Sequence, residues 1–318
     1  MAPDKSYKIL LNISAFIISA FLCFVVSEYA VRLLRLSKTH NSYDAINLAA
    51  YSPEKNSFGW RDREFTKKKN LNTYRIVCIG DSVTEGYKVE VKKTYAKVLE
   101  SILLRLNYTV EVINAGRCGN NTPANLATVE TAMQFQPDLI IYQFGLNDIE
   151  GLEHMEHVSV SSSKGQQVSG KNHFNLKAVL RKSALYLALA ERYNYLKLKL
   201  GYRHWAFEEW HIKDALWEKE FIKLKNGLSK SKINAKILII YMPYDFQIYS
   251  NREETLAPSK KLTTFCQVNS YDFIDFTQVF KIQKNKYKIF LDDCHLSEVG
   301  NKMTAEYLAD FIRNYYFL

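Results

Sequence analysis

Between residues 75 and 275, short runs rich in Ile and Val alternate with longer stretches of helical periodicity, and few folds accept that alternation. Arg75–Gly80 (RIVCIG), Val110–Ala115 (VEVINA), Leu139–Gln143 (LIIYQ) and Lys236–Met242 (KILIIYM) each read as a strand buried on both faces. Helical patterns fall between them at about 94–106, 123–135 and 207–229, with Tyr271–Asp275 as a fifth strand and Ser297 as the cap of a last helix reaching about Asn314. The expected fold is a three-layer α/β/α sandwich on a central parallel sheet with right-handed crossovers.

Such a sheet binds its ligands beyond the carboxyl ends of its strands, so the residues that follow each apolar run are the site candidates. The first run leads into Gly80-Asp81-Ser82-Val83-Thr84-Glu85-Gly86, a strand-to-helix turn that would expose Ser82 beside backbone N–H groups, as a nucleophile requires. Thr84 stands where a G-x-S-x-G elbow would have its last glycine, which argues against that motif. By itself, a serine in such a turn is more often a helix cap than a catalyst.

The second run leads into Asn114-Ala115-Gly116-Arg117-Cys118-Gly119-Asn120-Asn121-Thr122, whose glycines allow backbone N–H groups to point at a ligand. The third leads into Gly145-Leu146-Asn147-Asp148, where an Asx turn competes with a donor role for Asn147. Near the C-terminus, Asp292-Asp293-Cys294-His295 sets a carboxylate three residues before an imidazole, the spacing needed to fix the tautomer of a general base.

Together these blocks resemble the SGNH hydrolases, also called GDSL-like lipases and esterases, from about Tyr74 to Leu318. The resemblance implies a flavodoxin-like fold and a Ser82, Asp292, His295 triad. It also implies an oxyanion hole made by the N–H groups of Ser82 and Gly119 and by the Asn147 side chain. Gly116 is the alternative to Gly119, and Asp293 the alternative to Asp292. The implied function is hydrolysis of carboxylic esters, O-acetyl or other O-acyl, through an acyl-enzyme, with an acylated glycan or lipid as substrate and no cofactor or metal. An O-acyltransferase of the same architecture, acting on a cell-envelope glycan, and a catalytically silent glycan-binding protein are the alternatives.

Ahead of this region, Ile9–Val26 (ILLNISAFIISAFLCFVV) carries no charge over a length close to the roughly 20 residues that cross a bilayer. A cleaved signal peptide would have a shorter apolar core and a small-x-small site, so a retained anchor over residues 1–35 is expected. Lys5 and Lys8 before the segment and Arg32, Arg35 and Lys38 after it leave the orientation open by charge. Residues 36–70 read as a polar linker and 71–318 as the hydrolase domain, with an insertion at about 150–205 that contains a helical pattern from Leu176 to Leu200. Gly59-Trp60-Arg61-Asp62 resembles bacterial family members with an N-terminal anchor, which implies a domain outside the cytoplasm.

The net charge of +10 suits anionic surfaces. The basic residues are dispersed and follow no nucleic-acid-binding motif, so a nucleic-acid partner is not expected. Cys23, Cys78, Cys118, Cys266 and Cys294 form no C-x-x-C pair, and His154, His157 and His173 lack a ligand pattern around them, so no zinc site is indicated. The resemblance would bring the loops of Cys118 and Cys294 together, as a bridge or as two thiols.

Overall fold

The computed structural model describes residues 5–34, 55–148, 183–199, 214–231, 234–249 and 253–317. It divides into two compact units, Met1–Asp44 with Val168–Leu196, and Ala45–Gln167 with Lys197–Leu318.

In the first unit, helix α1 (Lys5–Leu33) includes Asn12–Leu33, a 22-residue segment long and apolar enough to cross a membrane. Every side chain from Asn12 to Val26 is exposed, as befits a helix apolar on all faces. Towards its C-terminal end, Glu28 accepts 2.8 Å hydrogen bonds from the Ser183 hydroxyl and from the N–H groups of Ala184 and Leu185, and pairs with Arg32 at 2.6 Å. A carboxylate there satisfies the unpaired N–H groups that open the insertion helix at Ala184.

The second unit holds five parallel strands: β1 (Tyr74–Ile79), β2 (Val110–Asn114), β3 (Leu139–Phe144), β4 (Lys236–Tyr241) and β5 (Asp272–Asp275). They lie in the order β2-β1-β3-β4-β5, the flavodoxin-like arrangement, as expected. Each strand begins within a residue of its predicted start, because a run buried on both faces has little freedom of boundary.

The helices follow in chain order: α2 (Ser82–Glu85), α3 (Tyr95–Arg105), α4 (Thr122–Ala132), α5 (Ala184–Lys199), α6 (Asp214–Lys230), α7 (Asp245–Tyr249), α8 (Ala257–Val268), α9 (Phe276–Lys281) and α10 (Glu298–Tyr315). Chain order runs from β1 to β2 in one direction across the sheet and from β2 to β3 in the other. Right-handed crossovers therefore place α3 and α4 on opposite faces. α10 packs with α3 on one face and α6 with α4 on the other. The short α2, α7 and α9 have no periodic signature in the sequence, being too short to show one.

Residues 55–70 fall within the span expected to be linker, yet they are laid onto the sandwich. Trp60 is 2% and Arg61 1% exposed. Trp60 packs against Phe58 and Phe135, at ring-centroid distances of 5.4 and 5.3 Å. The Arg61 guanidinium donates to the carbonyls of Gly86 at 2.8 Å and Val89 at 2.6 Å.

Candidate active site

In an open parallel sheet the crevice lies where the strand order reverses, here between β1 and β3. Their register pairs Ile79 with Tyr142, so the turn Gly80–Ser82 and the turn Gly145–Asp148 leave the sheet side by side. The two turns are bonded to each other. Asp81 N–H donates to Gln143 Oε1 at 3.0 Å, and Gln143 Nε2 and Asn147 Nδ2 donate to Asp81 Oδ2 at 3.3 and 2.7 Å.

Helix capping at this turn falls to Asp81, whose Oδ1 accepts from Val83 N–H at 2.7 Å. Ser82 is thereby the first residue of α2, with its hydroxyl unused by the cap and its N–H lacking an intrahelical acceptor. The helix closes after one turn at Gly86, in the left-handed region at φ 79°, and Arg61 holds the carbonyls that follow. Asp148 similarly takes over the local turn bond, accepting from Gly145 N–H at 2.8 Å, which leaves the Asn147 amide to reach Asp81.

The imidazole arrives from the other end of the chain. Leu291 N–H donates to His295 O at 2.7 Å and Ser297 N–H to Ile289 O at 2.8 Å, closing a narrow loop between the bridged residues Phe290 and Leu296. Asp245 N–H donates to Asp293 O at 2.8 Å and docks that loop beside α7. His295 Nε2 comes to 2.9 Å from Ser82 Oγ, and Nδ1 lies 2.9 Å from both Oδ1 and Oδ2 of Asp292. The Tyr87 ring lies against the imidazole, centroid to centroid 4.5 Å.

Burial raises the Asp292 carboxyl, but the His295 charge and hydrogen bonds, together with the N–H of Cys294, outweigh it and hold the group at about 2. Asp148, wholly buried, is pushed well above the usual carboxylate range by burial first and by the Asp81 charge second.

Of the five residues singled out in the sequence, Ser82, Asp292 and His295 form one hydrogen-bonded chain, and Asn147 joins them through Asp81. The backbone carbonyl of Asp293 accepts from Asp245 N–H at 2.8 Å. Gly119 sits at the exposed tip of the β2–α4 loop at φ 80°, with open space where a Cβ would be. The bonds that tie this loop to the serine turn run through its neighbours, Arg117 N–H to Gly80 O at 3.0 Å and Cys118 N–H to Glu85 Oε2 at 2.7 Å. Gly116 serves packing instead. A Cβ at that position would collide with the backbone nitrogen of Glu85, so glycine lets the end of β2 approach the serine helix.

Asp81, Gln143, Tyr87 and Arg61 also hold the site together, and no sequence motif marks them for it. Only the position of Asp81 beside Ser82 signalled it. Gln143 ends an apolar strand and Tyr87 lies in a loop, and neither announces a partner 60 or more residues away. None of the five cysteines is in a disulfide. His154, His157 and His173 lie outside the described residues.

A family model described as the GDSL-like lipase/acylhydrolase family matches residues 78–303. The chain belongs to that family. Its serine block, Gly80-Asp81-Ser82-Val83, stands at the start of the matched span. An arylesterase of Vibrio mimicus is 29% identical over 96 residues, which are 30% of this chain and 47% of the relative. The chain thus spans about half the length of the curated relative that it matches. Among solved structures, a lipase/acylhydrolase from Enterococcus faecalis aligns with a TM-score of 0.48 at 16% identity, covering 76% of this chain and 96% of that one. An acetylxylan esterase from Geobacillus stearothermophilus, as a catalytic mutant, aligns with a TM-score of 0.45 at 14% identity, covering 76% and 93%.

Proposed function

We propose that the protein is a serine esterase in which Ser82 is the nucleophile, His295 the general base and Asp292 the residue that fixes the imidazole. The observation that carries this reading is the unbroken chain from Ser82 Oγ to His295 Nε2 at 2.9 Å and from Nδ1 to Asp292 at 2.9 Å. With Nδ1–H held by the carboxylate, the lone pair of Nε2 faces the serine hydroxyl, the arrangement needed to remove its proton during attack.

Attack on an ester carbonyl forms the Ser82 Oγ–C bond and passes the serine proton to Nε2. The tetrahedral oxyanion is received by the N–H groups of Ser82 and Gly119 and by Asn147 Nδ2, which has a second hydrogen beyond the one given to Asp81. Collapse expels the alcohol with the proton from Nε2, leaving an acyl-enzyme. Water then repeats the sequence to release the acid. Asn147, Met242, Tyr244 and Cys294 line the cleft beside Ser82. Met242 and Tyr244 are themselves buried, and such a wall favours a short acyl group. The arylesterase relative makes short-chain aryl esters the natural first substrates. Helix α1 would tether the domain to a membrane, with the hydrolase outside the cytoplasm.

The test uses the full-length chain in detergent, a fluorophosphonate label and a short-chain aryl ester. Wild type should be labelled and active, and Ser82→Ala neither. Labelling of the Ser82→Ala protein at the wild-type rate would sink the assignment.

A further inference from the structure

The loop that carries the base also carries a thiol. Cys294 Sγ lies 3.7 Å from His295 Nδ1, the ring nitrogen that does not face Ser82, and 4.0 Å from Asp292 Oδ1. The three ligand atoms, one each of sulfur, nitrogen and oxygen, fall within 4.8 Å of one another, the one such group of His, Cys and acidic side chains among the described residues. In a tetrahedral zinc site with Zn–S near 2.3 Å and Zn–N and Zn–O near 2.0–2.1 Å, neighbouring ligand atoms stand roughly 3.4–3.6 Å apart. Shifts of about half an ångström would convert the present triangle into one face of such a tetrahedron. Although the packing around it desolvates the Asp292 carboxyl, the side chain is still 41% exposed, so a cation has a route in and water can fill the fourth position.

We propose that Asp292, Cys294 and His295 form an inhibitory site for a thiophilic divalent cation, with Zn²⁺ as its representative. A softer ligand set of this kind selects zinc over magnesium or calcium, which take oxygen ligands. Binding releases the thiol proton to solvent as the Zn–S bond forms. Zn–N bond formation at Nδ1 displaces the proton there, which passes through solvent to Nε2, so the ring stays neutral as the Nε2–H tautomer. That is the nitrogen that faces Ser82 at 2.9 Å. With a hydrogen in place of a lone pair, Nε2 cannot accept the serine proton, and the cation also takes Asp292 away from its orienting role. The metal therefore disables the base without touching the nucleophile. This inhibitory half rests on the reading of His295 as the general base; the binding half stands on the ligand geometry alone.

The two halves are tested separately on the full-length chain in detergent, under a phosphine reductant. Co²⁺ is the spectroscopic probe for binding, since a cobalt–thiolate bond gives a charge-transfer absorption. Zn²⁺ is titrated against aryl-ester hydrolysis and fluorophosphonate labelling, each protein being normalised to its own metal-free rate.

The charge-transfer band should appear in wild type and in Ser82→Ala, which keeps all three ligands, and should vanish in Cys294→Ala and Cys294→Ser. The zinc concentration for half inhibition should rise at least about tenfold in both Cys294 variants, the scale of losses seen when even supporting residues of a metal site are removed. Inhibition equal in wild type and Cys294→Ala, or a band that survives in Cys294→Ala, would overturn the site. A band without inhibition would overturn the inhibitory half. A metal-free wild type that is inactive and unlabelled would instead count against the esterase reading, while the cobalt titration would still decide the binding half.

Discussion

Asn147 Nδ2 donates a 2.7 Å hydrogen bond to Asp81 Oδ2, so the residue that caps the serine helix also aims the amide at the end of the neighbouring strand. One carboxylate thus ties the position of the proposed nucleophile to that of a proposed oxyanion donor. Asn147→Ala removes the donor and should lower kcat by about 10² to 10³. Asp81→Ala leaves the amide in place without its guide and should cost kcat less, with KM little changed. Because both act through one contact, the double variant should be no worse than Asn147→Ala by more than a few-fold; full multiplicativity in steady-state kinetics would show the two to be independent.

Asp292→Asn keeps the shape of the loop but reverses the demand on the imidazole tautomer. A loss in kcat on the order of 10⁴ is expected at neutral pH. Asp293→Asn, which leaves the contact between Asp292 and His295 in place, should stay within a few-fold of wild type. Side-by-side turnover of the two variants distinguishes them, and equal losses would contradict the choice of Asp292.

The lowered Asp292 group fixes the sign of a pH effect. A carboxyl near 3.9 in the unfolded chain and about 2 in the folded one contributes stability above about pH 4. That contribution is lost as pH falls towards 2. The difference in melting temperature between wild type and Asp292→Asn should therefore be widest above pH 4 and narrow below it. A gap that stays constant from pH 6 to pH 2.5 would show that the charge contributes nothing.

Asp148 behaves in the opposite sense. Its raised pKa favours the protonated acid in the folded state, so any stability it adds is present at low pH and is lost as pH rises through the folded value. Asn resembles that protonated acid, and Asp148→Asn should unfold close to wild type in urea at neutral pH. Asp148→Ala strands Gly145 N–H and the Thr122 hydroxyl, which bond the carboxyl at 2.8 and 3.2 Å, and should lose about 1–3 kcal/mol.

Arg61 offers a test of the segment before the sheet. Its side chain is buried and holds the carbonyls that end the serine helix, so Arg61→Ala should destabilise the fold by about 2–4 kcal/mol in urea denaturation and slow fluorophosphonate labelling of Ser82. Unchanged stability would mean that the segment rests on the domain without supporting it.

The strands were legible in the sequence because a parallel strand buried on both faces is written as a continuous Ile- and Val-rich run, and their alternation with helices left the doubly wound sandwich as the fold. Strand ends then named Ser82 and Asn147, and the three-residue step from Asp292 to His295 named the pair that share one turn. All of that is local pattern. Tertiary structure alone decided that Asp81, not Ser82, caps the helix, that Arg61 and Trp60 belong to the packed domain, and that Tyr87 lies on the imidazole. It also brought His295 to a serine 213 positions earlier in the chain. The physical reason is the same throughout: hydrogen bonds between loops depend on strand order and register, which arise when the sheet assembles and leave no periodic trace in the residues that make them.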